Sequence, residues 1–595
     1  MKINLSPKQQ KIVDHDEGAI LVKAGPGSGK TRVLIERTKR ILLSHKRVKI
    51  LALTFSNMAA EEMRARIQED RDVEDLIDRV TIGTIHSFCL ELVQTRGYLI
   101  GLPNNLTLFE NLDDRKKVLA DAISRDPVLK STIDQSNNSV LSNALSIISD
   151  YKKRFILPDD ECISEDNRSL YLSYNQELLL QSAIDYDDIL FYAYQVLTEY
   201  ENVRHLFTSQ YKYICVDEAQ DLNYAQYMVI KALCGNVFKN IMLVGDENQS
   251  IYGFNGSDST LMSKVFVKDF APVIYVLNEN FRCSKAIVNF ANTLEASTDY
   301  PNCFYEGELK FHQFLTEQEE AEFVVAKITE LIGSGHPDVE GPLSYDSFAI
   351  IARNKYVFAN VEQELARCQI PYYFKKTTNG IDSESIIFKI FDLELRLLLN
   401  NRDIIHAREL QSICRSIPNN VDVSFIHSIV STANIEEFNL KNLLNKMEKN
   451  FDSLLLSDEE KYMVVNDCAL WLKHWNKYVS QVPAGQRSLQ SFRNYVSLGK
   501  TQILDSTSGV SLLTAHMSKG LQYEAVFIIG LSEGVFPDYR ALQTGGKALD
   551  QEKNNMYVAV TRAKRLCYLS YSKVKTMPWG STKIQQPSQF VSTLL

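Results

Sequence analysis

Short apolar runs alternate along the first ninety residues with segments whose apolar positions recur at helical spacing. Ala19–Val22 ends in a glycine-rich turn, after which Val33, Leu34, Ile41 and Leu42 fall on one helical face. Lys49–Phe55 (KILALTF) is a buried-strand run, Met58–Ile67 a helix, and Val80–Thr84 a strand leading into a helix near His86. Strand and helix in alternation predict a parallel sheet. From about 91 to 204 the pattern turns to helical segments rich in Leu, Asp and Ser, with loops around Asn104, Asn137 and Pro158, which reads as an inserted helical domain. Strands return at Tyr211–Val216 and Ile241–Val244. A second α/β unit is expected to open near Val273, with strands at Val273–Leu277 and Phe348–Ala352 and a helix over Val357–Cys368. Residues 377–505 are again helical, FKIFDLELRLLL being the clearest amphipathic stretch. Strands at Val510–Thr514 and Ala525–Ile529, a helix over Glu552–Val560 and a last strand at Leu566–Ser570 close the pattern. The fold class is therefore α/β: two parallel-sheet units, each interrupted by a mainly helical insertion.

A chain of 595 residues exceeds a single hydrophobic core, in keeping with several domains. Ten cysteines with no CxxC pair read as core thiols of a reducing compartment. No apolar run is long enough to span a bilayer and no signal peptide is evident, so a cytosolic location without membrane contact is expected. Net charge is −9. That argues against a protein that coats nucleic acid by charge alone, but it allows a strand held in a groove by stacked aromatics and a few local cations.

The first chemistry lies in AGPGSGKTR, between strand and helix. A triphosphate can be surrounded by backbone N–H groups at a helix N-terminus where no Cβ intervenes. Ala24, Gly25, Pro26, Gly27, Ser28 and Gly29 form such a loop, with Ala24 where the usual pattern has Gly. Lys30 would reach the β- and γ-phosphates, and the Thr31 hydroxyl would ligate Mg²⁺. The second lies in YKYICVDEAQD, an apolar strand ending in two adjacent carboxylates. Asp217 would hold the metal and Glu218 would polarise the attacking water.

With AGPGSGKTR and VDEAQD, the segments LTFSNMAAEEM, GTIHSF, GDENQSIYGF, ENFRCS, LLTAHMSKGLQY, EGVFP and YVAVTRAK occur in the order and approximate spacing of the motifs of superfamily 1 helicases. The sequence resembles the UvrD/PcrA/Rep group over nearly its whole length. The resemblance implies two RecA-like motor domains, 1A (1–90 and 205–278) and 2A (279–376 and 506–595), with insertions 1B (91–204) and 2B (377–505). It implies ATP and Mg²⁺ as cofactors, single-stranded DNA and single-strand/duplex junctions as partners, and a 3′–5′ translocase and helicase acting in repair, recombination or anti-phage defence.

Carried over residue by residue, the resemblance gives Gln9 the adenine edge, Arg32 and Phe281 the two faces of the base, and Gln249 the γ-phosphate and attacking water. Arg282 and Arg562 are implied to be arginine fingers. Gln522 stands where many relatives have a ribose-binding Glu. Phe55, His86, Tyr252, Phe254 and His516 match positions that face single-stranded DNA, with Phe254 replacing the usual Trp and Asn255 a common Arg. CRSIPN (Cys414–Asn419) replaces an element that grips duplex DNA, and the chain stops soon after the last motor strand, as in a reduced relative. An alternative follows from these departures: a DNA-sensing ATPase subunit that regulates a partner nuclease.

Overall fold

The computed structural model describes residues 5–295, 305–374, 380–417, 424–449, 457–501, 508–576 and 581–594. The chain begins with a helix over Pro7–Asp14, capped by a reciprocal pair of hydrogen bonds between Ser6 and Gln9. Strands β1 (Ile20–Ala24), β2 (Lys49–Thr54) and β3 (Val80–Thr84) then alternate with helices. β1 and β2 are apolar almost without interruption, as strands covered on both faces must be, whereas β3 (VTIGT) lies at the sheet's edge with Thr81 exposed.

The first insertion is not purely helical. Its helices enclose a two-stranded parallel ribbon of β4 (Thr107–Phe109) and β5 (Ala183–Asp185), elements too short to leave a periodic signal. Strands β6 (Tyr211–Val216), β7 (Ile241–Gly245) and β8 (Val273–Leu277) complete a six-stranded parallel sheet in the order β3-β2-β6-β7-β1-β8. The expectation from the hydrophobic pattern that Val273–Leu277 opens the second unit is thus corrected, whereas the 1A bounds implied by the resemblance (205–278) include this strand: β8 runs beside β1, with Ile20 paired to Val273 and Ala24 to Leu277. Its apolar composition serves an edge here, and Val273, Ile274 and Val276 remain exposed.

The second sheet is built from β9 (Glu308–Thr316), β10 (Phe348–Ala352), β11 (Tyr372–Phe374), β12 (Val510–Thr514), β13 (Tyr523–Ile528), β14 (Ala563–Thr576) and β15 (Thr582–Ile584). Its order is β11-β12-β10-β13-β14-β15, with β9 also paired to β14. All pairings are parallel except β14 with β15. Two cores, one on each face of each sheet, account for the central strands.

The second insertion, helical among its described residues, has its own core around Phe388, Phe391, Trp471 and Phe492. It also docks on the first insertion: Ile405 is buried in the first insertion's core. Around it Asn400 Nδ2 donates to Gln181 O and Thr107 Oγ1, at 2.7 and 2.8 Å. Arg396 pairs with Glu110 at 2.9 Å, and His406 lies between Asp403 (2.6 Å) and Asp114 (3.4 Å). Pro418 and Asn419 of CRSIPN lie outside the described residues.

Candidate nucleotide and nucleic-acid site

Between β1 and the helix Lys30–Ser44 the chain turns through Gly27 (φ 69°) and Gly29 (φ 84°), left-handed conformations that favour glycine. Space is as restrictive as backbone angle. A Cβ on Gly27 would lie 2.5 Å from Asn280 Oδ1, and one on Gly29 2.8 Å from Gln9 Nε2. Ser28 Oγ closes the loop by donating to Gly25 O at 2.7 Å. The helix presents its first-turn N–H groups at this point, where they have no intrahelical acceptor. Beside them the Lys30 ammonium is buried and meets no hydrogen-bond acceptor among the described residues. A buried cation beside a helix N-terminus is a fitting cradle for a polyanion.

Opposite the loop, β6 delivers Asp217 and Glu218 at its carboxyl end. Thr31 Oγ1 donates to Asp217 Oδ2 at 3.4 Å, so the helix and the strand are joined through two hard oxygen ligands. Glu218 has φ 52°, an uncommon conformation for a side-chain-bearing residue and one that concentrates at functional sites. Burial raises the Asp217 pKa, and the adjacent Glu218 adds to that shift. Burial opposes ionisation of Glu218 too, but Lys30 and then Lys519 outweigh it and hold Glu218 below the ordinary carboxylate range. The two neighbours are thereby pushed apart in proton affinity.

The second sheet's connections supply the facing wall. Arg562 is 2% exposed and donates to Val558 O (2.9 Å), Thr561 Oγ1 (3.1 Å), Leu521 O (3.3 Å) and Gln249 Oε1 (3.4 Å). Gln249 in turn donates to Asp246 Oδ2 at 2.6 Å. Burial, followed by repulsion from Arg282, brings the Arg562 pKa down to about 10, still charged at neutral pH. Arg282 and Gln522 line the same cleft, as do Pro26, Gly27, Gly29, Lys30, Thr31 and Arg32. The cleft measures about 170 Å³. A larger cavity of about 370 Å³ lies behind the loop, past Gly25 and Pro26. The cations and carboxylates converge in the smaller one.

Phe281 is half exposed, and its N–H donates to Gly27 O at 2.9 Å, which fixes it beside the loop. Gln9 is buried with its amide engaged: Nε2 donates to Ser28 O, and Oε1 accepts from Ser6 N, both at 3.0 Å. In this state it braces the loop.

The aromatic candidates divide into two groups. Phe55 and Tyr252 stack with ring centroids 4.8 Å apart, and His516 follows at 6.3 Å from Tyr252. His86 stands apart, stacked on Tyr186 of the insertion at 4.3 Å. Burial lowers both histidines to about 4, so at neutral pH they are uncharged rings. Phe254 lies in the single turn Gly253–Asn255, and its side chain falls outside the described residues.

The family model of the UvrD/REP helicase N-terminal domain matches residues 5–270, and that of the UvrD-like helicase C-terminal domain matches residues 275–467 and 431–574. The chain belongs to the UvrD-like helicase family. By that membership it is an ATP-hydrolysing helicase. It is 28% identical to proteins named ATP-dependent DNA helicase PcrA from Staphylococcus epidermidis and Staphylococcus aureus, across 99% of this chain and 86% of each relative.

Two further side chains of the helicase, absent from the candidates above, meet the residues of this site. Lys519 pairs with the buried Asp221 and donates to Gln249 O at 2.6 Å, while its ammonium lies 5.1 Å over the Tyr252 ring. Asn280 Oδ1 accepts from the N–H groups of Arg282 and Cys283, both at 2.9 Å, and so shapes the loop that carries Arg282. Lys519 lies within LLTAHMSKGLQY, where a lysine in an otherwise uncharged segment is a signal for it. Asn280 had no signal beyond its place before FR.

Proposed function

We propose that this helicase translocates 3′ to 5′ along single-stranded DNA and separates strands at junctions, driven by ATP hydrolysed between its two sheet units. The observation that carries the reading is the cleft itself, in which Lys30, Thr31 and Glu218 of one unit face Arg282 and Arg562 of the other.

In this reading the Gly25–Gly29 loop and Lys30 bind the triphosphate, Arg32 and Phe281 flank the base, Gln9 lies at its edge, and Gln522 lies near the sugar. Thr31 and Asp217 suit Mg²⁺, which takes oxygen ligands, keeps one or two carboxylates and substrate phosphates, and would neutralise phosphate charge. Glu218, held ionised, orients the attacking water. Gln249 links that water to Arg562, and the two arginines stabilise charge on the transferring phosphoryl group. Phe55, Tyr252, His516, His86 and Phe254 supply faces on which bases stack without sequence preference.

Strand displacement from 3′-tailed, 5′-tailed and blunt duplexes with ATP tests the proposal. Displacement from the 3′-tailed substrate alone is expected. Displacement only from the 5′-tailed one refutes the polarity. Turnover that single-stranded DNA leaves unchanged refutes the motor. DNA-stimulated turnover without displacement on any substrate would favour the regulatory ATPase reading.

A further inference from the structure

Aromatic side chains continue past the Phe55–Tyr252–His516 run, over the junction between the first sheet and its insertion. Phe155 and Tyr194 stack with centroids 4.3 Å apart and planes within 17°. Tyr224, 46% exposed, stands 6.3 Å from Phe155. Backbone connections on two sides lead from this group toward the rings already described. Asn223, next to Tyr224, forms a bridge with Ser257, which follows the turn that begins at Tyr252. Tyr194 lies on the helix Tyr186–Glu199, about 12 Å along its axis from Tyr186, whose ring stacks on His86.

The backbone aims these rings deliberately. The helix Asn138–Lys153 ends at Arg154, and Phe155 then adopts φ 55°, a conformation that side-chain-bearing residues disfavour, which places its ring against Tyr194. Two cations precede it. Lys153 and Arg154 keep 41% and 60% of their side chains exposed and face Asp187 (3.9 Å) and Asp150 (3.2 Å) respectively. Exposed pairs of this kind are weak, and a phosphate backbone competes with them effectively.

We infer that Phe155, Tyr194 and Tyr224, with Arg154 at their edge, form a second stacking platform for single-stranded nucleic acid, holding bases beyond those at Phe55 and Tyr252. The inference rests on the single-strand reading above. Ring faces stack on any base, which suits a track that must accept every sequence.

Fluorescence anisotropy with labelled oligo-dT tests it, comparing lengths of about 8 and about 24 nucleotides, within and above the roughly 4–16 nucleotides of a single site. Tyr224→Ala and the double variant Phe155→Ala/Tyr224→Ala are expected to weaken binding of the longer strand about tenfold and leave the shorter unchanged. Tyr224→Phe, which keeps the ring, is expected to restore wild-type binding. Thermal melts check each fold, and the exposed Tyr224 carries the test alone if the double variant unfolds. Equal weakening at both lengths, or none with the longer strand, overturns the platform. Tyr252→Ala separates the two failures: it should weaken both lengths, and if wild type binds neither length the single-strand reading itself falls.

Discussion

Gly27→Ala probes how closely the nucleotide loop is fitted to the loop that brings Arg282. At φ 69° an alanine pays roughly 1–2 kcal/mol for the left-handed conformation. Its Cβ would also lie 2.5 Å from Asn280 Oδ1 and 2.7 Å from Arg282 Cβ. Ordinary contact begins near 3.4 Å, so a gap approaching 1 Å must open. Asn280 cannot simply swing aside, because its Oδ1 accepts two backbone N–H groups and leaving each buried donor unpaired costs about 1–3 kcal/mol. The cheaper response is for the two loops to part, carrying Arg282 away from the phosphate position. A displacement of about 1 Å at a reacting group costs on the order of 100-fold in rate. Steady-state ATPase assays with saturating single-stranded DNA should therefore show kcat reduced about 100-fold, with melting lowered by only a few degrees. Gly101→Ala is the control, since it carries the same backbone strain (φ 82°) with nothing within 4 Å of the added methyl. Equal turnover in the two variants would refute the close fit between the loops.

Arg562→Ala should lower turnover by about 10³-fold or more. It should also destabilise the second unit, because it empties a buried site and leaves Leu521 O without its donor; Arg562→Lys should recover stability but not turnover, and recovery of both would remove its assigned role. Lys30→Ala should abolish nucleotide hydrolysis while the melting temperature holds, as measured by phosphate release and calorimetry. The insertion–insertion contact should respond to pH through His406. Burial opposes its protonation, but hydrogen bonds from the imidazolium to Asp114 and Asp403 outweigh both burial and repulsion from Arg396 and raise it to about 9. A folded pKa above the unfolded 6.5 stabilises fully below about pH 6.5, and that contribution, on the order of 3 kcal/mol, is lost as pH rises through 9. Melting temperature from pH 6 to 10 should fall for wild type and change less for His406→Gln; parallel curves would remove His406 from the contact.

Much of this architecture was legible because central parallel strands must be apolar on both faces. β6, β10 and β12 fall at the ends expected from their runs, and β2 within one residue of them. β8 misled for the same reason: its run VIYVL reads as interior, yet it closes an edge, and composition carries no record of the neighbouring strand. β9 escaped notice because its residues are half-covered on both sides, giving neither an apolar run nor a clean alternation. In the site, the motif residues were readable since loop, carboxylates and arginines sit in segments whose chemistry has few substitutes. Lys519 was not, because its role depends on Asp221, about 300 residues away in the chain, coming within hydrogen-bond reach, and Asn280 was not, because its bonds to Arg282 and Cys283 are local and its packing against Gly27 appears only once the two loops meet. Tyr186 was hidden likewise, as its stacking on His86 exists only once the insertion folds back on the sheet.

The helicase reading requires nucleotide state to reach the bases, and the segment after β7 provides a short route. Gln249, which accepts from Arg562, and Tyr252, which stacks on Phe55, are three residues apart. The second unit grips this segment from two directions: Asn554 Nδ2 donates to Ser250 O at 3.0 Å, and Lys519 donates to Gln249 O. At Gly253 the approach is so close that a Cβ would fall 1.3 Å from Gln551 Nε2. Phe55, by contrast, follows β2 of the first unit. Opening of the cleft sets these bonds against those that tie the segment to the first unit, Ser250 Oγ to Gln220 O (3.1 Å) and Ser257 Oγ to Asp221 O (2.6 Å) among them, and any shift of the segment toward the second unit moves Tyr252 across the Phe55 ring. Sliding one stacked ring past another changes the gap offered to a base without a directional bond being lost, which is what a motor indifferent to sequence needs.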